Sequence, residues 1–164
     1  MGLSNLNSLY REVILDHADH PHHKHDLEVS TQTMTLKNPT CGDVINLSIR
    51  VDSQDRIADI GFSGDGCTIS QSSASMMTDA VIGKDKEAAL QMAKTFSDIV
   101  MGVEHTNAEL DELGDAALLS SIVSFPARIK CATLAWWALQ RTLLNKEVPT
   151  DKEDITCQIH QKPY

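Results

Sequence analysis

The spacing of hydrophobic residues changes along the chain and separates a helical start from a strand-rich middle. Residues 5–19 repeat apolar side chains at intervals of three and four, which predicts an amphipathic helix that ends before Pro21. Residues 27–62 follow a period of two, clearest from Ile45 to Val51, where apolar and polar side chains alternate as in a half-buried strand. Three such strands in succession predict an antiparallel meander.

The second half of the chain returns to helical spacing. It predicts a helix from Cys67 that ends at Gly83, a helix over Asp85–Val103, and a polar loop or short irregular segment over Glu104–Gly114. A brief helix over Asp115–Ser121 and a long last helix that begins at Pro126 follow. We therefore expect an α+β fold: a three-stranded antiparallel sheet with helices packed on one face. Residues 1–144 are expected to form one domain, and residues 145–164 a polar, mobile tail.

The net charge of the chain argues against some classes of binding partner. The 164 residues contain 14 Lys and Arg against 23 Asp and Glu, a net charge of −9. This balance argues against nucleic acid or an anionic membrane as the main partner. The chain shows no secretory signal pattern and no apolar run long enough to span a bilayer, so a cytoplasmic location is expected, with its four cysteines as thiols or metal ligands.

Three cysteines lie in local contexts that suit a thiolate. Cys41 and Asp43 are two positions apart in the turn Asn38-Pro39-Thr40-Cys41-Gly42-Asp43, so they can close on one metal ion. Cys67 follows a glycine-rich loop at the start of a helix, where the helix dipole favours the thiolate. Cys131 lies on the last helix, three residues after Arg128 on nearly the same face.

Each of these residues also has a plainer interpretation. Cys67 could be a small buried apolar residue, and Arg128 an ordinary exposed cation. The histidines of the segment His20–Asp26 are interpreted as a solvated turn in preference to a metal site. Cys157 and His160, in the tail, are given no role.

The three cysteine contexts together resemble the signature stretches of the U-type iron–sulfur assembly proteins. The stretches are Asn38–Asp43, then Gly64-Asp65-Gly66-Cys67-Thr68-Ile69-Ser70, then Arg128-Ile129-Lys130-Cys131-Ala132-Thr133-Leu134. Scaffold members of the IscU type carry a histidine immediately before the third cysteine, whereas this chain has Lys130. Together with the extra length around residues 102–120, that difference resembles the SufU branch.

The resemblance implies a zinc-dependent sulfurtransferase that accepts persulfide sulfur from a SufS-type cysteine desulfurase and passes it towards a SufBCD-type scaffold. Its implied zinc ligands are Cys41, Asp43, Cys67 and Cys131. Cys41 is the implied sulfur acceptor, freed when a histidine of the desulfurase replaces it, and Arg128 assists. Two alternatives stay open: a scaffold that assembles a [2Fe–2S] cluster on the same ligands, and a structural zinc module that only binds a partner.

Overall fold

The computed structural model describes residues 2–38 and 42–144, with the helical backbone alone for residues 2–9. Cys41 and the predicted tail, including Cys157 and His160, therefore lie outside the described residues. The described chain forms three strands, five α-helices and one 3₁₀ segment. These are α1 (Gly2–Asp19), β1 (Gln32–Asn38), β2 (Asp43–Val51), β3 (Ile57–Ser63), α2 (Thr68–Val81), α3 (Lys86–Val100), α4 (Asn107–Leu113), the 3₁₀ segment (Gly114–Ser124) and α5 (Pro126–Leu143).

The three strands form one antiparallel sheet in the order β1-β2-β3, which confirms the predicted meander. Alternation along β2 places Ile45, Leu47 and Ile49 in the core with at most 1% of their surface exposed. The β1–β2 register ends with Asn38 opposite Asp43. Both residues therefore lie at the closed end of this hairpin, beside the connection that contains Cys41.

The last helix is the central element of the helical layer. It begins at Pro126, as predicted, and packs against α2, α3, β1 and β2. Every residue from Cys131 to Gln140 is buried, and Trp136 stacks on Phe96 of α3 with ring centroids 4.6 Å apart. No helix in residues 2–38 and 42–144 has the length and hydropathy that crossing a bilayer requires.

The acidic stretch predicted to be a loop over Glu104–Gly114 contains a helix, so that prediction is wrong. α4 starts with a capping box. The Thr106 hydroxyl accepts a hydrogen bond from the backbone amide of Glu109, and the Glu109 carboxylate accepts one from the backbone amide of Thr106. This reciprocal pair satisfies two amide groups that a helix start leaves open. The brief helix predicted after it is the 3₁₀ segment, which extends further, to Ser124.

The histidine-rich segment between α1 and β1 is a largely exposed turn, as predicted, but it also makes hydrogen bonds to the rest of the domain. The backbone amide of His22 donates to Ser75 Oγ at 2.8 Å, and the His23 ring lies 3.0 Å from Thr78 Oγ1. The backbone carbonyl of His23 accepts from the amide of Phe62. His20, His22 and His25 are exposed. The segment is thus fixed against α2 and β3.

His105 connects the end of α3 to the start of α4. Its Nε2 lies 2.9 Å from Asp98 Oδ2 and its Nδ1 lies 2.6 Å from Glu109 Oε2. Hydrogen bonds with Asp98 first, and Glu109 second, raise the pKa of His105 above its ordinary value. When it is protonated, the ring therefore holds α4 against α3.

Because the pKa of His105 is raised in the folded state, its contribution to stability is complete below the unfolded pKa and disappears as pH rises through the folded pKa. We expect His105→Ala to lower the free energy of unfolding more at pH 6 than at pH 9, measured by urea denaturation. His25→Ala, which removes an exposed imidazole, is the control and should show no such difference. An equal loss for His105→Ala at both pH values would contradict a charged linkage.

Candidate metal centre

Cys67 is positioned by a loop that only glycine can form. Gly64 has φ +112, and a Cβ there would collide with the backbone carbonyl of Val44. A Cβ on Gly66 would collide with Ser70 Oγ and come within 2.7 Å of Asp43 Oδ1. The loop therefore lies directly against the start of β2 and brings Cys67 to the N-cap of α2, with extended backbone angles.

Asp43 is completely buried at the first position of β2. Its Oδ1 accepts from the backbone amide of Cys67 at 2.9 Å, and its Oδ2 accepts from the side-chain amide of Asn38 at 3.4 Å. These donors orient the carboxylate and offset part of the cost of burying its charge. A buried carboxylate beside thiols remains costly without a cation, so this position suits a metal ligand.

Cys131 approaches the same point from α5. It is completely buried, and the Asn38 side-chain amide lies 3.9 Å from its Sγ. Asp43, Cys67 and Cys131 each offer one ligand atom, and these three atoms all lie within 4.8 Å of one another. A tetrahedral zinc ion separates its oxygen and sulfur ligands by about 3.3–3.8 Å, so small side-chain adjustments would bring all three into bonding distance.

The two thiols interact so that one of them ionises readily. A hydrogen bond with Cys131 is the largest influence on Cys67 and, with the backbone amides of Ser70 and Ile69, lowers the pKa of Cys67 to about 6. Burial and the negative charge of Asp43 oppose this shift. Near neutral pH, Cys67 is therefore largely a thiolate, the form that binds metal and attacks sulfur.

Arg128 provides positive charge at the exposed side of the cluster. The charges of the Cys67 and Cys131 thiolates, in that order, raise the pKa of its guanidinium. Arg128 is exposed in the first turn of α5, whereas Cys131 is buried in the second. The predicted neighbourhood of these two residues is therefore present, with the cation facing solvent.

The structure thus brings together three of the four predicted ligands, namely Asp43, Cys67 and Cys131, while Cys41 lies outside the described residues. Two thiolates and a carboxylate form a donor set that suits zinc and also iron. Sequence reasoning treated Asn38 only as part of the turn. The structure shows an almost completely buried side chain that contacts both Asp43 and Cys131. The position of Asn38 directly before Pro39, at the end of a strand, is the sequence feature that could have indicated this role.

Comparison with known proteins places this geometry in a family. The family model of the NifU-like N-terminal domain matches residues 9–132. The iron–sulfur cluster assembly scaffold protein IscU of Streptococcus pyogenes serotype M1 is 53% identical over 143 residues, which cover 87% of each chain. The zinc-dependent sulfurtransferase SufU of Bacillus subtilis (strain 168) is 47% identical over 144 residues, covering 88% of this chain and 95% of that protein.

A solved structure agrees with the sequence relatives. A crystal structure from Fervidobacterium islandicum AW-1, described as a candidate iron–sulfur cluster assembly scaffold protein for the SUF system, superposes with a TM-score of 0.75. It is 32% identical and covers 80% of this chain and 94% of its own. The predicted resemblance is confirmed: the chain belongs to the family of the NifU-like N-terminal domain, together with the iron–sulfur assembly proteins IscU and SufU.

Proposed function

We propose that this protein is a zinc-dependent sulfurtransferase of iron–sulfur cluster assembly, which accepts sulfur from a SufS-type cysteine desulfurase. The observation that carries the proposal is the convergence of Asp43, Cys67 and Cys131, directly beside the hairpin connection that contains Cys41. The relative named as a zinc-dependent sulfurtransferase, at 47% identity, supports the choice of metal and activity.

In the proposal, Cys41, Asp43, Cys67 and Cys131 hold the zinc ion. Cys41 is joined to Asp43 through Gly42 alone, and neighbouring Cα atoms are about 3.8 Å apart, so a fourth ligand from this position requires no distant segment. Bound zinc would keep the thiols deprotonated and fix their geometry. Three thiolates and a carboxylate leave the site with a net negative charge around the ion, which the Arg128 guanidinium offsets in part.

The transfer step assigned to Cys41 is a thiol–persulfide exchange. The Cys41 thiolate attacks the terminal sulfur of the persulfide on the desulfurase, and a new sulfur–sulfur bond forms at Cys41. The sulfur–sulfur bond of the desulfurase breaks, and its cysteine leaves as a thiolate, so no external oxidant or reductant is needed. Cys41 is the acceptor in this proposal because it belongs to a short connection, whereas Cys67 and Cys131 are held by helices.

Arg128 is assigned a supporting role in this exchange. It is exposed, and its guanidinium already interacts with the thiolates of Cys67 and Cys131. A cation in that position would stabilise the Cys41 thiolate and the negative charge of an incoming persulfide. The persulfide would then pass to a SufBCD-type scaffold, the downstream acceptor in this proposal.

A second candidate function is the assembly of a [2Fe–2S] cluster on the same ligands, which the 53% identity to a relative named as an IscU scaffold favours. Lys130 precedes Cys131 where scaffold members of the IscU type carry histidine, so one expected ligand is absent. Anaerobic reconstitution distinguishes the two functions, since a scaffold yields a stable cluster that it transfers to an apo-protein.

Replacement of the proposed acceptor should separate catalysis from binding. We expect Cys41→Ala to reduce stimulation of a SufS-type desulfurase to the basal rate, measured as alanine release with a thiol reductant. Cys157→Ala, a cysteine without an assigned role, should stimulate like the wild type. Full stimulation of the desulfurase by Cys41→Ala would exclude Cys41 as the sulfur acceptor. If the wild-type protein binds the desulfurase without stimulating it, the structural zinc module is favoured.

The buried carboxylate should determine zinc retention. Asp43→Asn keeps the shape and the acceptor for the Cys67 amide but removes the charge, so we expect zinc affinity to fall at least about tenfold, measured by competition with a chelator. Asp65→Asn changes an exposed carboxylate in the neighbouring glycine-rich loop and serves as the control. Equal affinity of Asp43→Asn and the wild type would remove Asp43 from the ligand set.

Cys67 should titrate near pH 6 in zinc-free protein. Relative to an ordinary thiol of pKa about 9, the thiolate fraction of Cys67 at pH 7 rises about 90-fold, but its intrinsic nucleophilicity falls about 20-fold. The informative quantity is therefore the midpoint of the pH profile. We expect iodoacetamide labelling of Cys67, followed by peptide mass spectrometry, to increase with a midpoint of about pH 6.

Cys131→Ala removes the hydrogen bond that contributes most to the low pKa of Cys67. The labelling midpoint should then move upward, towards that of an ordinary thiol. A wild-type midpoint near pH 9, or an unchanged midpoint in Cys131→Ala, would contradict the interaction between the two thiols.

A further inference from the structure

A second cluster of metal-binding side chains lies at the opposite end of α2. His17 of α1, His22 of the following segment and Asp79 of α2 each offer one ligand atom, and these atoms all lie within 4.8 Å of one another. Asp79 follows Cys67 by 12 residues, which corresponds to about 18 Å along a helix. The cluster is therefore separate from the cysteine site.

His17 is held in place by hydrogen bonds on both ring nitrogens. Its side chain is 3% exposed, its Nε2 lies 2.9 Å from Asp115 Oδ2, and its Nδ1 lies 2.8 Å from Ser75 Oγ. When Nε2–H donates to the Asp115 carboxylate, Nδ1 accepts a hydrogen bond from the Ser75 hydroxyl, and a metal ion bound at Nδ1 would replace that hydrogen bond. A carboxylate on the far nitrogen of an imidazole is the arrangement that orients histidine ligands and increases their basicity.

His22 and Asp79 complete the cluster from the solvent side. His22 Nδ1 contacts Asp79 Oδ2 directly, and the His22 backbone amide donates to the Ser75 hydroxyl that also contacts His17. The His17 and His22 rings lie with centroids 4.8 Å apart. Ser75 thus contacts the ring of His17 and the backbone of His22, and Asp79 faces both imidazoles from the last turn of α2.

We propose that His17, His22 and Asp79 bind a second divalent metal ion of the zinc type, with Asp115 as the residue that positions His17. Two imidazoles and one carboxylate form a donor set that zinc accepts, with room for a water molecule as the fourth ligand. Tetrahedral donors lie about 3.3 Å apart, so a metal ion would take the place of the direct contact between His22 and Asp79, and these two exposed side chains would move modestly to admit it.

The surroundings of this second site would let its metal ion exchange with solvent. Asp79 and Asp115 also line a cavity of about 350 Å³ between α2 and the start of the 3₁₀ segment. His22 and Asp79 are 49% and 39% exposed, so solvent and chelators reach the ion. It binds more weakly than an ion held by buried thiolates. The bound ion links α1, the histidine-rich segment and α2, and it therefore fixes the amino-terminal helix on the domain.

The test is a calorimetric zinc titration of the full chain whose cysteine site already holds one equivalent of zinc. We expect the wild type to bind a second equivalent and to show slower amide hydrogen exchange in α1 when it does. His22→Gln and Asp79→Asn should each weaken the second binding event at least about tenfold, with the first equivalent retained. His25→Gln, a change in the same segment outside the cluster, should bind the second ion like the wild type.

Three results would overturn the proposal. One is the absence of a second binding event in the wild type. Another is a second zinc-binding event that both His22→Gln and Asp79→Asn retain. Loss of that event in the control His25→Gln would contradict the proposal in the same way. The third comes from Co²⁺ used as the second ion: thiolate-to-cobalt charge-transfer absorption would place that ion on cysteine, whereas the proposed ligands give none. Because His22 is exposed, its replacement tests the site even if Asp79→Asn affects folding.

Discussion

The buried carboxylate of Asp43 is the constraint on which the site depends. Asp43 pairs with Asn38 at the end of the β1–β2 hairpin. Its carboxylate accepts a hydrogen bond from the backbone amide of Cys67, at the start of α2. One side chain thus joins the sheet, the glycine-rich loop and the helical layer. Such a charge is stable inside a protein only with donors and a cation around it. The same requirement that orders these three elements also creates a place for a metal ion.

The other organising feature is the row of small polar residues along α2. Ser70, Ser72, Ser73 and Ser75 are all buried. Ser73 donates to the backbone carbonyl of Ala132, so α2 approaches α5 closely enough for Cys67 and Cys131 to meet. Ser75 contacts His17 and His22 on the side that faces α1. A single helix therefore presents one cluster at each end, and its small side chains determine the spacing in both.

Local patterns predicted most of the fold because the relevant signals are short. The period-two strands and the Pro126 helix start needed only neighbouring residues, whereas the capping box at Thr106 was missed because the acidic composition of that stretch suggested a loop. The site is different. Cys41, Cys67 and Cys131 are 26 and 64 residues apart, so spacing alone did not indicate that they meet, and the family resemblance supplied that expectation. The contacts of Asn38 and His22 depend on packing between distant elements, which no local pattern encodes.

Charge distribution bears on the choice between sulfur transfer and cluster assembly. Arg128 and Lys130 place two cations next to Cys131, in a chain that carries a net charge of −9. A lysine ammonium has no lone pair for a metal at neutral pH, whereas it lowers the energy of anionic sulfur nearby. The exposed guanidinium of Arg128 also lies beside Cys67 and Cys131 on the side of the cluster that faces solvent. In the proposed exchange, this positive charge stabilises the anionic sulfur of the thiolates and of the persulfide. A scaffold that uses a histidine at position 130 as a cluster ligand would lose that ligand with Lys130.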